Sequence, residues 1–236
     1  MQIEIWSDVV CPWCYIGKRR LESALAGFEH ADEVEIVWRS FQLDPDAPRE
    51  ATETIATHLG RKYGGGPEAG RQMIDRVTGI AAGEGLAFDY HDAQRASTVD
   101  AHRLLHLALA EGGPALQGEL KERLLDAYFV DARNPADRAV LSEAAVAVGL
   151  REERVAAVLD SDEYADEVAA DAAQAAAYGA TGVPFFVVDR RYGVSGAQPS
   201  ELFGELLERA WADSHPLVQV VGGDDAEACG PDGCAT

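Results

Sequence analysis

The sequence is poor in lysine and has no long hydrophobic run. It holds 41 acidic residues against 20 basic ones, and only three of the basic residues are lysines. The formal charge of −21 argues against nucleic acid or an anionic membrane surface as a partner, because either would repel the chain. Simple solubility explains the acidity, and a cytoplasm rich in salt is the less favoured alternative.

Membrane and export signals are also missing from the sequence. No stretch approaches the roughly 18 consecutive apolar residues of a membrane-spanning helix. The first residues do not show the basic segment followed by an apolar one that marks a secretory signal. We therefore expect a soluble, cytoplasmic protein, and its 47% hydrophobic content is enough to bury an ordinary core.

The four cysteines form two close pairs, Cys11 with Cys14 and Cys229 with Cys234. Four cysteines are too few for the disulfide scaffold of a small secreted protein. In a reducing compartment, such close pairs are typical of redox-active or metal-binding sites.

Cys11 and Cys14 lie where a strand is predicted to meet a helix. The apolar residues at 3–6 indicate a short buried strand, and Pro12 fits the first helical position, where its missing N–H costs nothing. Cys11 is then expected at the helix N-terminus, whose unpaired N–H groups and macrodipole lower a thiol pKa. Cys14, one turn further along, is expected to be shielded. This context favours a redox dithiol over half of a zinc site or an inert core pair.

Hydrophobic periodicity divides the rest of the chain. Alternating apolar residues predict a second strand from about 34 to 41, and prolines near residue 45 then break the pattern. From about 52 to 178 the spacing is helical, and strand patterns return at 185–188 and 192–195. A last helix is predicted to begin near Pro199.

These patterns predict an α/β fold with a large all-helical insertion. The predicted division is a main domain in two segments, a helical insertion and a C-terminal extension: 1–48 with 179–215, 49–178, and 216–236.

A second signal is Thr181-Gly182-Val183-Pro184-Phe185, a proline at the mouth of a strand. Alone it is an ordinary strand-opening proline, because only about 5–6% of X–Pro bonds are cis. Together with the cysteine pair it resembles the thioredoxin superfamily, in which a Cys-x-x-Cys helix faces a cis-proline loop. The resemblance implies a cis Val183–Pro184 bond and backbone groups at Val183 that pair with an extended substrate segment.

Four segments together resemble the FrnE-type branch of the DsbA family: residues 7–17, 101–104, 181–187 and 194–198. The resemblance implies a thioredoxin fold split by a helical insertion and thiol–disulfide oxidoreductase activity on protein thiols and disulfides. In that activity Cys11 forms a mixed disulfide with substrate, and Cys14 resolves it. Pro184 is expected to complete the catalytic site, and Trp13, Val183 and Phe185 are expected to contact substrate.

Two other functions are compatible with the sequence. The 2-hydroxychromene-2-carboxylate isomerases and kappa-class glutathione transferases share the fold, although they typically carry serine where this chain has Cys11. The third hypothesis is that the protein binds zinc or acts as a holdase chaperone. We expect no resident cofactor or metal, with glutathione as a conceivable co-substrate. His102 and His106 lie on one helical face, but without an evident third ligand packing is favoured over zinc.

The tail pair Cys229 and Cys234 flanks a good turn sequence, so a local disulfide is sterically reasonable. The resemblance suggests that this pair relays electrons to the active site. An incidental pair, or a zinc site shared with Cys11 and Cys14, are the alternatives.

Overall fold

The structure, a computed structural model, describes residues 1–216, 229–230 and 233–234. Its central sheet has four strands: β1 (Gln2–Ser7), β2 (Glu35–Ser40), β3 (Phe185–Val188) and β4 (Tyr192–Ser195). The strand order is β2-β1-β3-β4. β1 runs parallel to β2 and antiparallel to β3, and β3 is antiparallel to β4.

Helix α1 (Pro12–Ala26) connects β1 to β2, and helix α8 (Ser200–Ser214) follows β4. A short 3-10 turn at Ala31–Glu33 precedes β2. Between β2 and β3 lie six helices: α2 (Ile55–Tyr63), α3 (Gly66–Gly83), α4 (Val99–Phe129), α5 (Arg138–Ala147), α6 (Glu152–Leu159) and α7 (Ala165–Ala177). In the part of the chain described, no helix has the length and hydropathy to cross a membrane.

The tail contributes a two-stranded antiparallel pair, β5 (Cys229–Gly230) and β6 (Gly233–Cys234). Its register places the backbone of Cys229 opposite that of Cys234. The side chains of both cysteines lie outside the described parts of the structure. The domain boundaries predicted at residues 48, 178 and 215 fall outside every helix and strand, and the division into domains stays a prediction.

Strand β1 is the centre of the fold because its side chains enter two cores. Ile3 and Ile5 pack on one face with α1 and α8 residues such as Leu21 and Phe203. Trp6 points to the opposite face, where its indole N–H donates to the carbonyl of Asp171 in α7 at 2.7 Å. The alternation of side chains along a strand is what lets one segment join both layers.

The exposed edge of β2 is closed by side chains from the helical insertion. Gln117 of α4 accepts from the Trp38 N–H at 2.8 Å and donates to the Trp38 carbonyl at 2.9 Å. Asp171 accepts from the Ser40 N–H at 2.7 Å. Unpaired edge groups are costly when buried and promote association when exposed. The insertion therefore takes the place of a further strand.

Two glycines allow α2 and α3 to form a tight hairpin. A Cβ added at Gly70 would lie 1.9 Å from the carbonyl oxygen of Ala56, and one added at Gly60 would lie 1.8 Å from that of Gly66. Neither backbone can move without separating the helices. This hairpin forms one wall of a cavity beside Cys11.

We predict that Gly70→Ala lowers the free energy of unfolding by about 1–3 kcal/mol, because its methyl group would overlap backbone. Gly79, exposed on the same helix, is the matched control, since a Cβ there meets nothing within 4 Å. Gly79→Ala should stabilise the protein by roughly 0.5–1 kcal/mol through reduced chain entropy. Urea unfolding of both variants measures the difference, and equal effects would contradict the close-packing argument.

Candidate active site at the start of helix α1

Cys11 and Cys14 are free thiols at the first turn of α1. Cys11 is the N-cap residue, Pro12 follows it as the first helical residue, and the Cys14 N–H donates to the Cys11 carbonyl at 3.0 Å. Both side chains are buried, with 3% and 1% of their surfaces exposed. The predicted strand-to-helix placement of the pair is confirmed.

The Val183–Pro184 loop faces this turn, and its peptide bond is cis, as predicted. The Cys11 thiol donates to the Val183 carbonyl, with sulfur and oxygen 3.6 Å apart. Gly17 of α1 permits the approach, because a Cβ there would lie only 3.1 Å from Cγ of Pro184. Two segments more than 160 positions apart in the chain thus meet at one sulfur.

A cavity of about 340 Å³ opens beside Cys11. Three of its lining residues are large apolar side chains that remain exposed: Trp13 at 40%, Leu43 at 42% and Tyr63 at 64%. Val183 also lines the cavity. Cys14 is absent from the lining that the described residues form, so Cys11 is the sulfur that an incoming molecule meets.

Phe185 does not take the substrate-contacting position expected of it. Its side chain is buried with Trp6 and Val187 on one face of the sheet. Side chains alternate along β3, and the position that follows Pro184 points into this core rather than toward Cys11. Of the residues expected to contact substrate, Trp13 and Val183 line the cavity beside Cys11.

Asp8, just before Cys11, is a buried carboxylate with both oxygens engaged. Nε2 of His102 lies 3.2 Å from one oxygen, and the Leu43 N–H donates to the other at 2.8 Å. Although burial opposes ionisation, the hydrogen bonds from His102 and Leu43 lower the pKa of Asp8. Burial also lowers the pKa of His102, so the pair consists of an aspartate ion and a neutral imidazole.

The pKa of Cys11 is raised, which corrects the lowering expected from its place at the helix start. Within the described residues the Cys11 side chain makes no hydrogen bond to the N–H groups of the helix start. Hydrogen bonding with Cys14, burial and the Cys14 charge instead raise the pKa of Cys11. Burial opposes ionisation of Cys14, but the hydrogen bond from Cys11 and the positive charge of Lys121 lower its pKa.

The two histidines predicted to pack do so. His102 binds Asp8, and Nε2 of His106 lies 3.1 Å from Asp171 and 3.0 Å from the Ser40 hydroxyl. Among residues that the structure describes, no group of three His, Cys, Asp or Glu side chains is placed to hold a metal ion.

Residues 2–208 match the DSBA-like thioredoxin domain. This chain belongs to the DSBA-like thioredoxin family. The α/β thioredoxin-like fold and its helical insertion are thereby confirmed.

Solved structures agree with the family assignment. The chain is 49% identical to a probable DsbA oxidoreductase from Streptomyces coelicolor, with a TM-score of 0.85 over 100% of this chain and 99% of the other. The cytosolic disulfide reductase DsbM from Pseudomonas aeruginosa, solved with GSH, is 18% identical, with a TM-score of 0.59 over 89% and 99% of the two chains. A 2-hydroxychromene-2-carboxylate isomerase is 12% identical, with a TM-score of 0.66 over 91% and 98%. The last two likenesses concern the fold alone.

A shorter match connects the chain to YwbO of Bacillus subtilis. The two are 40% identical over 45 residues, which is 19% of this chain and 20% of YwbO. The chain therefore matches only about a fifth of the length of that curated relative.

Sequence reasoning gave no role to several residues of this DSBA-like site. Asp8 lies inside a recognised motif, whereas Leu43 and Tyr63 come from loop and helix positions without a distinctive pattern. Lys121 carried a detectable signal, because a lysine three residues before Leu124 and seven before Tyr128 shares their apolar helical face.

We predict that stability falls as the pH drops below about 6.5, and that His102→Gln reduces this dependence. Burial lowers the pKa of His102 in the folded state. Between the folded and unfolded pKa values, the unfolded chain therefore binds a proton at His102 that the folded chain does not bind. The contribution is present above the unfolded pKa and is lost, at up to about 1.4 kcal/mol per pH unit, as the pH falls toward the folded value.

Urea unfolding at pH 7.5 and 5.5 compares the two proteins. His58, whose pKa burial also lowers, leaves a smaller dependence in the variant. A variant with the full wild-type dependence would contradict a neutral, buried His102.

Proposed function

We propose that the protein is a cytoplasmic thiol–disulfide oxidoreductase of the FrnE type that reduces or isomerises disulfides in proteins. The observation that carries this proposal is the position of Cys11, which faces the cavity and the cis-proline loop while Cys14 lies behind it. A single nucleophile at a substrate cavity with a shielded resolving thiol is the arrangement that two-step exchange requires.

Cys11 can attack although its own pKa is raised, because it can pass its proton to an ionised Cys14. Transfer of the proton from Cys11 to Cys14 places the negative charge on the sulfur that faces the cavity. The Cys11 thiolate then attacks one sulfur of the substrate disulfide, and the other sulfur leaves as a thiolate that takes a proton from water. Cys14 next attacks Cys11, the bond between Cys11 and substrate breaks, and the second substrate sulfur leaves reduced.

The substrate's backbone is proposed to pair with the Val183 loop. An extended segment that joins a sheet edge gains main-chain hydrogen bonds that do not depend on its sequence. Because Pro184 has no N–H, pairing is confined to the groups of Val183 and its neighbours before the proline. This mode suits a catalyst with many protein clients.

The cavity wall favours clients with apolar residues beside their cysteines. Trp13, Leu43 and Tyr63 expose apolar surface next to the nucleophile, where a partly unfolded protein can bury its own apolar side chains.

A second candidate function is glutathione-dependent chemistry on a small molecule. The volume of about 340 Å³ lies within the usual range of small-molecule sites, and Lys62 and Arg95 line the cavity. The neighbour DsbM was solved with GSH, although its likeness to this chain concerns the fold. Electron relay through Cys229 and Cys234 also stays a proposal.

We predict that Cys14→Ser accumulates a covalent complex through Cys11, because the thiol that resolves the mixed disulfide is gone. Mass spectrometry after non-reducing purification identifies the bound species, and Cys11→Ser/Cys14→Ser is the matched control. Bound proteins support the proposal, whereas glutathione as the sole adduct would transfer support to the second candidate. A Cys14→Ser variant that binds neither contradicts both.

Leu43→Ala is predicted to lower kcat/KM for a disulfide-linked peptide with apolar flanks by roughly fivefold to tenfold, since it removes about 1 kcal/mol of apolar contact. Leu202→Ala is the matched control, because Leu202 is similarly exposed, at 39% against 42% for Leu43, and lies on α8. A peptide with polar flanks should distinguish the two variants much less. Equal losses for Leu43→Ala and Leu202→Ala would argue against client binding at this wall.

A further inference from the structure

The backbone groups of strand β2 alternate between its neighbour β1 and the outer edge of the sheet. The Glu35 N–H donates to the Met1 carbonyl at 2.9 Å, so the groups of Glu35 and of each second residue after it face β1. The groups of Ile36, Trp38 and Ser40 therefore face outward. A further strand would join the sheet along this edge.

The helical insertion closes this edge at Trp38 and Ser40 but leaves Ile36 open. Side chains of α4 and α7 accept from the outward N–H groups of the two closed residues. In the part of the chain that the structure describes, neither the N–H nor the C=O of Ile36 has a hydrogen-bond partner. Ile36 thus presents a backbone donor and acceptor side by side, as strand addition requires.

A groove of about 610 Å³ lies along the open edge, between α1 and the second half of α4. This space, the edge groove, has an apolar floor formed by Leu21, Val34, Ile36 and Trp38. Helix α4 is kinked at Gly113, where φ is 71° and ψ is −169°, and its second half forms the far wall from Pro114 onward. An extended chain beside Ile36 would therefore bury its apolar side chains in the groove.

Two of the four glutamates that line the edge groove are already neutralised. Lys18 forms ion pairs with Glu22 and Glu122, and Arg19 pairs with the same two carboxylates. Although burial opposes ionisation, hydrogen bonds from Arg19 and Lys18 lower the pKa of Glu122 to about 2. Two cations balance two anions, so this end of the groove has no net charge.

The other two glutamates, Glu35 and Glu119, form no ion pair with any described residue. Both side chains are exposed, and Glu35 accepts a hydrogen bond from the neutral amide of Gln2 at 2.7 Å. Glu35 lies next to Ile36 on β2, and Glu119 lies on α4 at the opposite wall. An occupant of the edge groove therefore meets an apolar floor and two uncompensated negative charges.

These charges disfavour the chain itself as the occupant. A second copy has a formal charge of −21, and residues 217–236 hold four acidic residues and no lysine or arginine. Either would be repelled by the acidic rim. A basic segment of another protein would be attracted, because complementary charges across an interface select partners and speed their association.

We propose that the edge groove binds an extended, basic segment of a partner protein, which joins β2 as a fifth strand of the sheet. Its backbone pairs with the N–H and C=O of Ile36. Because side chains alternate along a strand, apolar residues at every second position enter the groove. The positions between them bring lysine or arginine to Glu35.

This surface is separate from the site of the proposed thiol chemistry. Among the described residues, none lines both the edge groove and the cavity beside Cys11. Helix α1 connects the two, with Cys11 before its first turn and Leu21 further along it. A partner bound at β2 therefore leaves Cys11 open to substrate.

The first test measures binding of a fluorescent peptide of about eight residues in which valine alternates with lysine, a length that matches one strand. Its control has glutamate in place of lysine. We expect the full chain to bind the basic peptide, and Glu35→Lys/Glu119→Lys to bind it about tenfold more weakly, because two ion pairs become repulsive. All the substituted side chains are exposed, so folding should be unaffected.

Glu205→Lys/Glu208→Lys on α8 is the matched control, because it changes the net charge equally on exposed positions far along the chain. It should retain the wild-type affinity for the basic peptide. Equal losses in the two double variants would show attraction to the acidic protein as a whole and would overturn the proposal, as would equal binding of the glutamate peptide.

Amide hydrogen exchange, followed residue by residue by NMR, tests the backbone pairing. The Ile36 N–H should exchange at least about tenfold more slowly once the basic peptide saturates the full chain, because pairing protects it. The Val37 N–H, which faces β1, should be protected with and without peptide. An Ile36 N–H that the bound peptide leaves unprotected overturns the proposal.

The same spectra without peptide identify the other possible occupants. Protection of Ile36 in the free protein at every concentration would mean that residues of the same chain cover the edge. Protection that grows with protein concentration would mean that a second copy does so. Either result overturns the assignment of the edge groove to a basic partner.

Discussion

The buried carboxylate of Asp8 is the interaction on which the arrangement of this protein depends. One of its oxygens contacts His102 of the helical insertion, and the other accepts from the backbone of Leu43 in the loop after β2. Two separate segments of the chain are therefore fixed relative to Asp8 and the first turn of α1. A buried charge tolerates no loss of its partners, so this position constrains each of them strongly.

The helical insertion contributes to the surroundings of Cys11 as well as to the architecture. It closes the open edge of the sheet through Gln117 and Asp171, and it supplies Tyr63 to the cavity and Lys121 to the thiol pair. The surroundings of the Cys11–Cys14 pair are thus assembled from both parts of the chain, and substitutions in the insertion can alter the pKa values of sulfurs that lie far away in sequence.

Burial has opposite consequences for the several ionisable groups of the site. It lowers the pKa of His102 and of Lys121, and it contributes to the raised pKa of Cys11. Hydrogen bonds and opposite charge outweigh burial at Asp8 and Cys14, and they lower the pKa of both groups. A purely structural core would gain free energy from apolar side chains at these positions. Buried ionisable groups with shifted pKa values are common where a protein performs chemistry.

The pairing of a Cys-Pro-Trp-Cys turn with a cis-proline loop followed from the family resemblance. The sequence by itself determined the local elements: the start of α1 at Pro12 and the strands at 185–188 and 192–195. Those features follow from periodicity, from proline's fixed geometry and from motifs with few structural solutions. Only the tertiary structure decided that Phe185 enters the core, that the pKa of Cys11 is raised and that Lys121 is buried. Such properties depend on groups distant in sequence that burial brings together, and a thiol's pKa is set by those neighbours rather than by its own motif.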